Sequence, residues 1–372
     1  MRIGFDAKQA FYNRSGLGHY SRNTIRLLCK HFPENEYFLY TTDEANPIFS
    51  IELPNVNVFI PKTLAGKVFP TYWRNYRLTS ELKADKIDIY HGLANELPFY
   101  IHRAPIKSVV TIHDLVFIRY PQLYKNLERR LIAKRIKYSC QIADKVVSVS
   151  RQTKSDLINY FNIDPDKIQV VYQGCNPLYR SMIDAEVKSM VKYKYDLPND
   201  YILSVGTIEE RKNLMSIVKA IQKGKIDISL VVIGKPTPYL KKVQEYISEN
   251  NLKYIYFIEN VPSLDLRAIY QMAKAFVYPS VFEGFGIPIL EALNSKVPVI
   301  TSKGGCFGEA GGNSSFYIDP NNVDELIDAL NKVLTDNELR KKMIEDGVLW
   351  ADNFSEDKIT TNLMNVYTHL VK

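Results

Sequence analysis

Ala275-Phe-Val-Tyr-Pro-Ser-Val-Phe-Glu-Gly-Phe-Gly-Ile-Pro-Ile-Leu-Glu-Ala-Leu293 compresses a whole structural unit into one short stretch. The apolar run Ala275–Tyr278 reads as a buried strand. Pro279 ends it, Gly284 and Gly286 mark a loop, and Pro288 stands where the first turn of a helix begins. Proline suits that position because its φ is already helical and its missing N–H has no partner to lose. Strand, glycine loop, helix is the repeating unit of a parallel α/β sheet. The same unit recurs upstream, where the run Tyr201–Val205 meets Gly206 and a helix follows over Asn213–Gln222.

Outward from these two units the pattern continues. Further strands are predicted at Arg2–Phe5, Tyr37–Tyr40, Val56–Ile60, Ile87–Tyr90, Lys107–Ile112, Lys145–Val149 and Ile168–Tyr172. After a polar break they resume at Ser229–Ile233, Tyr254–Ile258, Val297–Thr301 and Ser315–Ile318. Apolar runs without strict alternation suit parallel strands covered on both faces. Helical periodicity fills the intervals, as over Tyr20–His31, Leu123–Ala143, Gln152–Phe161, Tyr239–Glu249 and Leu264–Ala273. It also closes the chain from Asn322 to Leu370.

The 372 residues exceed one hydrophobic core. Two doubly wound, Rossmann-like domains facing each other across a cleft are therefore expected, with residues 1–180 in the first and 181–354 in the second. The helix at about 355–372 is expected to pack back on the first. With 46% hydrophobic and 24% charged residues the composition is that of a globular protein, not a disordered or fibrous one. Cys29, Cys140, Cys175 and Cys306 are widely spaced with no C-x-x-C pair, which points away from disulfides and zinc and towards a cytoplasmic setting.

Four segments carry chemistry. Glu283, Gly284, Phe285 and Gly286 precede a helix whose first N–H groups and positive end suit an anion, and Glu291 lies eight residues beyond Glu283. Carboxylates in such a place suit sugar hydroxyls; a solvated surface loop is the plain alternative. Gly206 is followed by Arg211 and Lys212, a bidentate fork and a compact charge fit for a diphosphate, or else a solvated pair beside Glu209 and Glu210. Asn13-Arg-Ser-Gly-Leu-Gly-His-Tyr-Ser21 reads as the loop after the first strand, with Gly16 and Gly18 short of a dinucleotide fingerprint. His113 and Asp114 end a strand, as does His91, which the sequence favours as a packed residue.

Taken together these segments resemble family 4 of the retaining glycosyltransferases, with the GT-B fold. Gly206-Thr-Ile-Glu-Glu-Arg-Lys-Asn-Leu214 followed about seventy residues later by Glu283-x7-Glu291 carries the likeness. Thr111-Ile-His-Asp-Leu-Val-Phe117, Val147-Ser-Val-Ser-Arg-Gln-Thr-Lys-Ser-Asp-Leu157 and Gly304-Gly-Cys-Phe-Gly-Glu-Ala-Gly-Gly312 fit it too. The resemblance implies that Glu283 and the amides of Gly284 to Gly286 meet the donor sugar or its phosphate, and that Glu291 holds the ribose. It implies that Arg211 and Lys212, with Gly206 before them, meet the diphosphate, that His113 sits beside the transferred sugar, and that Gly16 and Gly18 close over the donor. His113, Glu283, Arg211 and Lys212 are thus the expected catalytic set. Thr207 departs from the arginine that many relatives carry there, which moves the weight of phosphate binding to Arg211. No metal or other cofactor is implied. The subgroup is similar to bacterial mannosyl- and rhamnosyl-type enzymes of surface polysaccharide assembly, so GDP-mannose is the first expected donor and a UDP-hexose or dTDP-rhamnose the alternative.

Charge divides unevenly. Up to Asp184 there are 26 Lys and Arg against 17 Asp and Glu; beyond it, 22 against 24. In this family the first domain holds the acceptor, so a glycan or lipid-linked saccharide is the expected partner and peripheral contact with an anionic membrane a further expectation. Residues 125–137, with six cations and one acid, carry Leu127, Leu131, Ile132 and Ile136 at helical spacing; a helix packed on its sheet with a solvated basic face is the competing reading. Nucleic acid is not expected, for the excess is modest and no reading motif is present. A non-enzymatic sugar-nucleotide sensor and a nucleotide-sugar 2-epimerase stand as alternatives.

Overall fold

The computed structural model describes residues 1–42 and 48–372, and Ala65 through its backbone only. The chain divides into two compact units, Met1–Gln173 with Glu356–Lys372, and Gly174–Ser355. Each is built on one parallel sheet.

The first sheet contains β1 (Arg2–Asp6), β2 (Glu36–Tyr40), β3 (Val56–Phe59), β4 (Ile89–Gly92), β5 (Lys107–Ile112), β6 (Lys145–Ser148) and β7 (Ile168–Val170). Their order is β3-β2-β1-β4-β5-β6-β7, every neighbour parallel. The second holds β8 (Tyr201–Val205), β9 (Ser229–Ile233), β10 (Ile255–Ile258), β11 (Ala275–Tyr278), β12 (Val299–Ser302) and β13 (Phe316–Ile318), in the order β10-β9-β8-β11-β12-β13. In each sheet the winding reverses once, between β1 and β4 and between β8 and β11. Loops leaving the carboxyl ends of those paired strands splay apart and leave room for a ligand.

Both faces of each sheet are covered, which is why the strands are continuously apolar. Ile3, Phe5, Ile89, Val109 and Val147 face one layer of the first unit, while Phe38, Tyr90, Val110 and Val146 face the other. The helix Glu356–Val371 completes the first layer with Leu363, Met364, Val366 and Tyr367, packing beside the helix Gly16–His31. In the second unit Ile202, Leu230, Val232, Val277 and Ile300 meet Ile217, Val218 and Leu330. The four cysteines are buried and free. Among the described residues no helix is long and apolar enough to cross a membrane.

Two expectations are corrected, and two helices are added. Gly16 and Gly18 do not lie in an open loop but in the first turn of the helix Gly16–His31, after a short helix Lys8–Tyr12. The cause is a close approach: a Cβ on Gly18 would stand 1.7 Å from the carbonyl oxygen of Asn13, so glycine there lets the two helices meet. Arg22 Nη1 then bonds the carbonyls of Ala10 and Asn13, at 2.9 and 2.8 Å, which fixes the turn. The first unit also ends at Gln173, not 180. Tyr179 stacks edge-on against Tyr270, and Arg180 bonds Asn294 and Asp352, both at 2.5 Å, so these residues fold with the second unit. Finally, helices at Leu78–Ala84 and Ala185–Lys194 occupy stretches that the sequence leaves unassigned, because their apolar stripes are short and charge-diluted.

Candidate active site

The winding of the second sheet delivers two loops to one place. The loop after β8 carries Gly206 to Asn213, and the loop after β11 carries Pro279 to Gly286. Val281 N bonds Arg211 O at 2.9 Å and Ser280 Oγ donates to the same carbonyl at 3.1 Å, which ties the loops together. Arg211, Lys212 and Glu283, far apart in sequence, become one cluster. Lys212 Nζ lies 2.5 Å from Glu283 Oε1 and Arg211 Nη1 lies 2.8 Å from Glu283 Oε2.

Glu283 is nearly saturated. Oε1 also accepts from Ser280 Oγ at 2.6 Å and from Tyr278 Oη at 3.0 Å. Lys212 bonds the Tyr278 hydroxyl as well, and its ammonium lies 4.8 Å from the centre of that ring. Arg211 is held in turn by Glu209 at 2.5 Å and by the carbonyl of Phe282 at 2.6 Å. Burial disfavours a charged carboxylate, but Lys212 and Arg211 outweigh it and hold Glu283 down to about 2. Burial likewise works against the Arg211 guanidinium, yet Glu283 and Glu209 raise it above its ordinary value. Lys212 goes the other way: burial and the charge of Arg211 lower it in spite of Glu283. With Glu209 included, the cluster sets two cations, Arg211 and Lys212, against two carboxylates, Glu283 and Glu209, at the carboxyl end of the sheet. A small pocket beside it is lined by Gly206, Thr207, Lys212, Leu214, Val232 and Tyr278.

Gly286 caps the helix Ile287–Asn294 with φ 110°, a conformation that a residue with a side chain resists. Phe285 is buried and its ring packs on Phe354, so only its backbone is offered to a ligand. Glu291, from the same helix, does not join the cation cluster. It accepts from Tyr270 Oη at 3.0 Å, and burial pushes its carboxyl up to about 7 against the hydrogen bonds from Tyr270 and Tyr179. Near neutral pH this group is divided between an acceptor and a donor form.

In the first unit His113 directly follows β5 and is fixed from every side. Its N–H donates to Asn95 Oδ1 at 3.0 Å and its carbonyl accepts from Thr153 Oγ1 at 3.2 Å. Nε2 lies 2.9 Å from the carbonyl oxygen of Leu93 and therefore carries the proton; Nδ1 accepts from Gln173 Nε2 at 3.2 Å. Burial lowers the imidazole to about 4, so it is neutral at pH 7. The ring of Tyr20, from the helix that Gly16 and Gly18 begin, packs edge-on against it at 4.6 Å.

A hydrogen-bond chain that the sequence does not reveal stands behind His113. Tyr367 Oη meets His91 Nδ1 at 2.5 Å, His91 Nε2 meets Thr111 Oγ1 at 2.8 Å, and Thr111 Oγ1 meets Tyr20 Oη at 3.0 Å. His91 is packed in the core, and burial together with the neighbouring His113 lowers it to about 3. Of these residues the sequence singles out His91 alone, at a strand end. Among the described residues no group of three or more His, Cys, Asp or Glu is placed to hold a metal ion.

The chain has relatives in sequence and in fold. The description Glycosyl transferases group 1 matches residues 188–350, and Glycosyltransferase Family 4 matches residues 21–177. The O-antigen chain mannosyltransferase B of Escherichia coli is 31% identical, over 75% of this chain and 74% of its own length. The O-antigen chain mannosyltransferase RfbU of Salmonella typhimurium is 29% identical, over 76% of this chain and 78% of its own. The crystal structure of Anabaena HepE in complex with UDP and glucose superposes with a TM-score of 0.75 at 16% identity, over 99% of this chain and 100% of its own, and thus shares the fold. Two doubly wound sheets and a relative this close leave one assignment: the chain belongs to glycosyltransferase family 4 and has the GT-B fold.

Proposed function

We propose that the protein is a retaining mannosyltransferase that moves mannose from GDP-mannose to a glycan or lipid-linked saccharide, in the cytoplasm, during surface polysaccharide synthesis. The observation that carries the reading is the partly buried pair of cations, Arg211 and Lys212, on Glu283 at the reversal point of the second sheet. The names of the O-antigen mannosyltransferases favour mannose. The UDP and glucose in HepE favour a UDP-hexose as the second reading.

The chemistry follows from charge. As the bond between sugar C1 and the diphosphate oxygen breaks, positive charge grows on the ring and negative charge on the leaving group. Arg211 and Lys212 stabilise the leaving diphosphate by fixed electrostatics. The acceptor hydroxyl attacks C1 from the face the diphosphate leaves, and its proton passes to a diphosphate oxygen. The products are the α-glycoside and the nucleoside diphosphate. Glu283 is a poor nucleophile, since four partners engage its oxygens and its lowered pKa marks a weak base; it orients the cations beside the sugar. His113, neutral and bonded at both ring nitrogens, positions the sugar and takes no proton. Glu291 holds the ribose hydroxyls.

The test combines donor binding with product analysis. A thermal-shift screen across nucleotide sugars should show its largest rise with GDP-mannose, because a ligand of the folded state alone raises stability by mass action. Glu291→Ala should abolish that rise. Turnover should release GDP, give an α-linked product by NMR, and persist in EDTA. A largest shift with UDP-glucose would favour the second reading; loss in EDTA with rescue by magnesium would refute the metal-free step.

A further inference from the structure

The second unit carries an apolar face that its core does not use. The helix Ala185–Lys194 is held against the unit by one side only. Val191 is buried there, Tyr195 Oη donates to Asp265 Oδ2 at 2.7 Å, and Lys194 Nζ reaches the same oxygen at 2.6 Å. Asp265 belongs to the helix Ser263–Met272, on which Ala185–Lys194 packs. The segment leading in is pinned as well. Ile183 N donates to Gln271 Oε1 at 3.1 Å, and Gln271 Nε2 donates to the carbonyl of Ser181 at 2.9 Å.

The opposite side faces solvent. Tyr193 is 90% exposed, Met190 and Met182 59% each, and Val187 42%. With about 100° between successive residues, Glu186, Met190 and Tyr193 form the outermost line of the helix, and Val187 and Lys194 the line beside it. Leu264, 64% exposed, adjoins Asp265 and so extends the face at the helix's C-terminal end; Met182 extends it at the other. One such side chain alone is ordinary, but a run of them on a pinned helix marks a contact surface.

Charge says what covers it. Asp184 and Glu186 are exposed at the helix start and Lys194 at its end, while Lys188 and Lys192 lie on the half-buried flank. A partner of one sign throughout is repelled at one end. A second copy laid antiparallel is not. We propose that two copies of the chain pair through this helix, antiparallel about a two-fold axis at Met190. In that register Glu186 faces the partner's Lys194, Val187 faces the partner's Tyr193, and the two Met190 side chains meet at the axis, as an isologous contact requires. The helix dipoles also run opposed, which favours the antiparallel pair over a parallel one. A face of one helix and its flanks suits a concentration-dependent pair rather than an obligate one. The inference stands on the surface of the second unit and not on the choice of donor.

The native chain should pass from monomer to dimer as its concentration is raised, read by sedimentation equilibrium. Met190→Asp should weaken the dimer at least about tenfold, since it sets two carboxylates against each other in a buried place. Glu186→Lys alone and Lys194→Glu alone should each weaken it roughly three- to tenfold, because like charges then oppose at two symmetric positions. The double swap, Glu186→Lys with Lys194→Glu, should restore the native dissociation constant, for the reversed pair is again complementary. Every variant should keep the native circular dichroism and the donor-induced thermal shift. A native chain that stays monomeric would overturn the proposal and leave the face to a different partner. So would a Met190→Asp variant that pairs like the native chain, or a double swap that pairs no better than the single ones. Absence of a donor shift in a chain that pairs as described would sink the donor reading and leave this one standing.

Discussion

Two glutamates eight residues apart occupy opposite electrostatic situations, and their titrations oppose one another. Glu283, held down to about 2 by Lys212 and Arg211, stabilises the fold above its ordinary value near 4.5 and loses that contribution as pH falls towards 2. Glu291 is raised to about 7, so its protonated form favours the folded state and its contribution is lost as pH rises from 4.5 to 7. A shift of this size corresponds to about 3 kcal/mol at most. Burial of neutral His113 and His91 works in the opposite sense, so the reading is the difference between two chains: in urea titrations from pH 5 to 8 the native chain should lose stability relative to Glu291→Gln as pH rises towards 7. Parallel pH profiles for the two chains would refute the assignment to Glu291. The spacing of the two glutamates was legible in the sequence; their divergence was not, because Tyr270, Tyr179 and the cations reach them only through the fold.

At the scale of elements, the strand and helix runs follow from local physics. Buried parallel strands must be apolar throughout, and Pro288 and Gly286 punctuate a helix start in any context. The helix at Gly16–His31 shows where local reading fails. Two glycines in three residues argue against a helix on propensity alone, yet contact with Asn13 demands one of them. The two positions should accordingly behave differently. Gly18→Ala drives a methyl into the Asn13 carbonyl and should cost at least about 2 kcal/mol, read as a fall in melting temperature. Gly16, with nothing within 4 Å of a Cβ, should accept alanine with no loss or a gain of about 0.5 kcal/mol from helix propensity. Equal losses at both sites would refute the packing account.

For the whole molecule, the last helix matters as much as the first strand. Tyr367 reaches His91 from the far end of the chain, and through Thr111 and Tyr20 that contact bears on the wall of His113. Tyr367→Phe leaves the volume intact but strips a buried imidazole nitrogen of its partner. It should destabilise the protein by about 1–3 kcal/mol. It should also lower kcat more than it raises KM for donor; a purely structural role would shift stability alone. The sequence by itself determined the parallel sheets, the two-unit organisation, the cation pair and the glutamate pair, because each is written in runs or motifs within a few residues. Only the tertiary structure decided that Arg211 and Lys212 close on Glu283 while Glu291 turns to two tyrosines, and that His113 is locked and neutral. These depend on which distant segments the winding brings together, and desolvation there sets charges that no local pattern records.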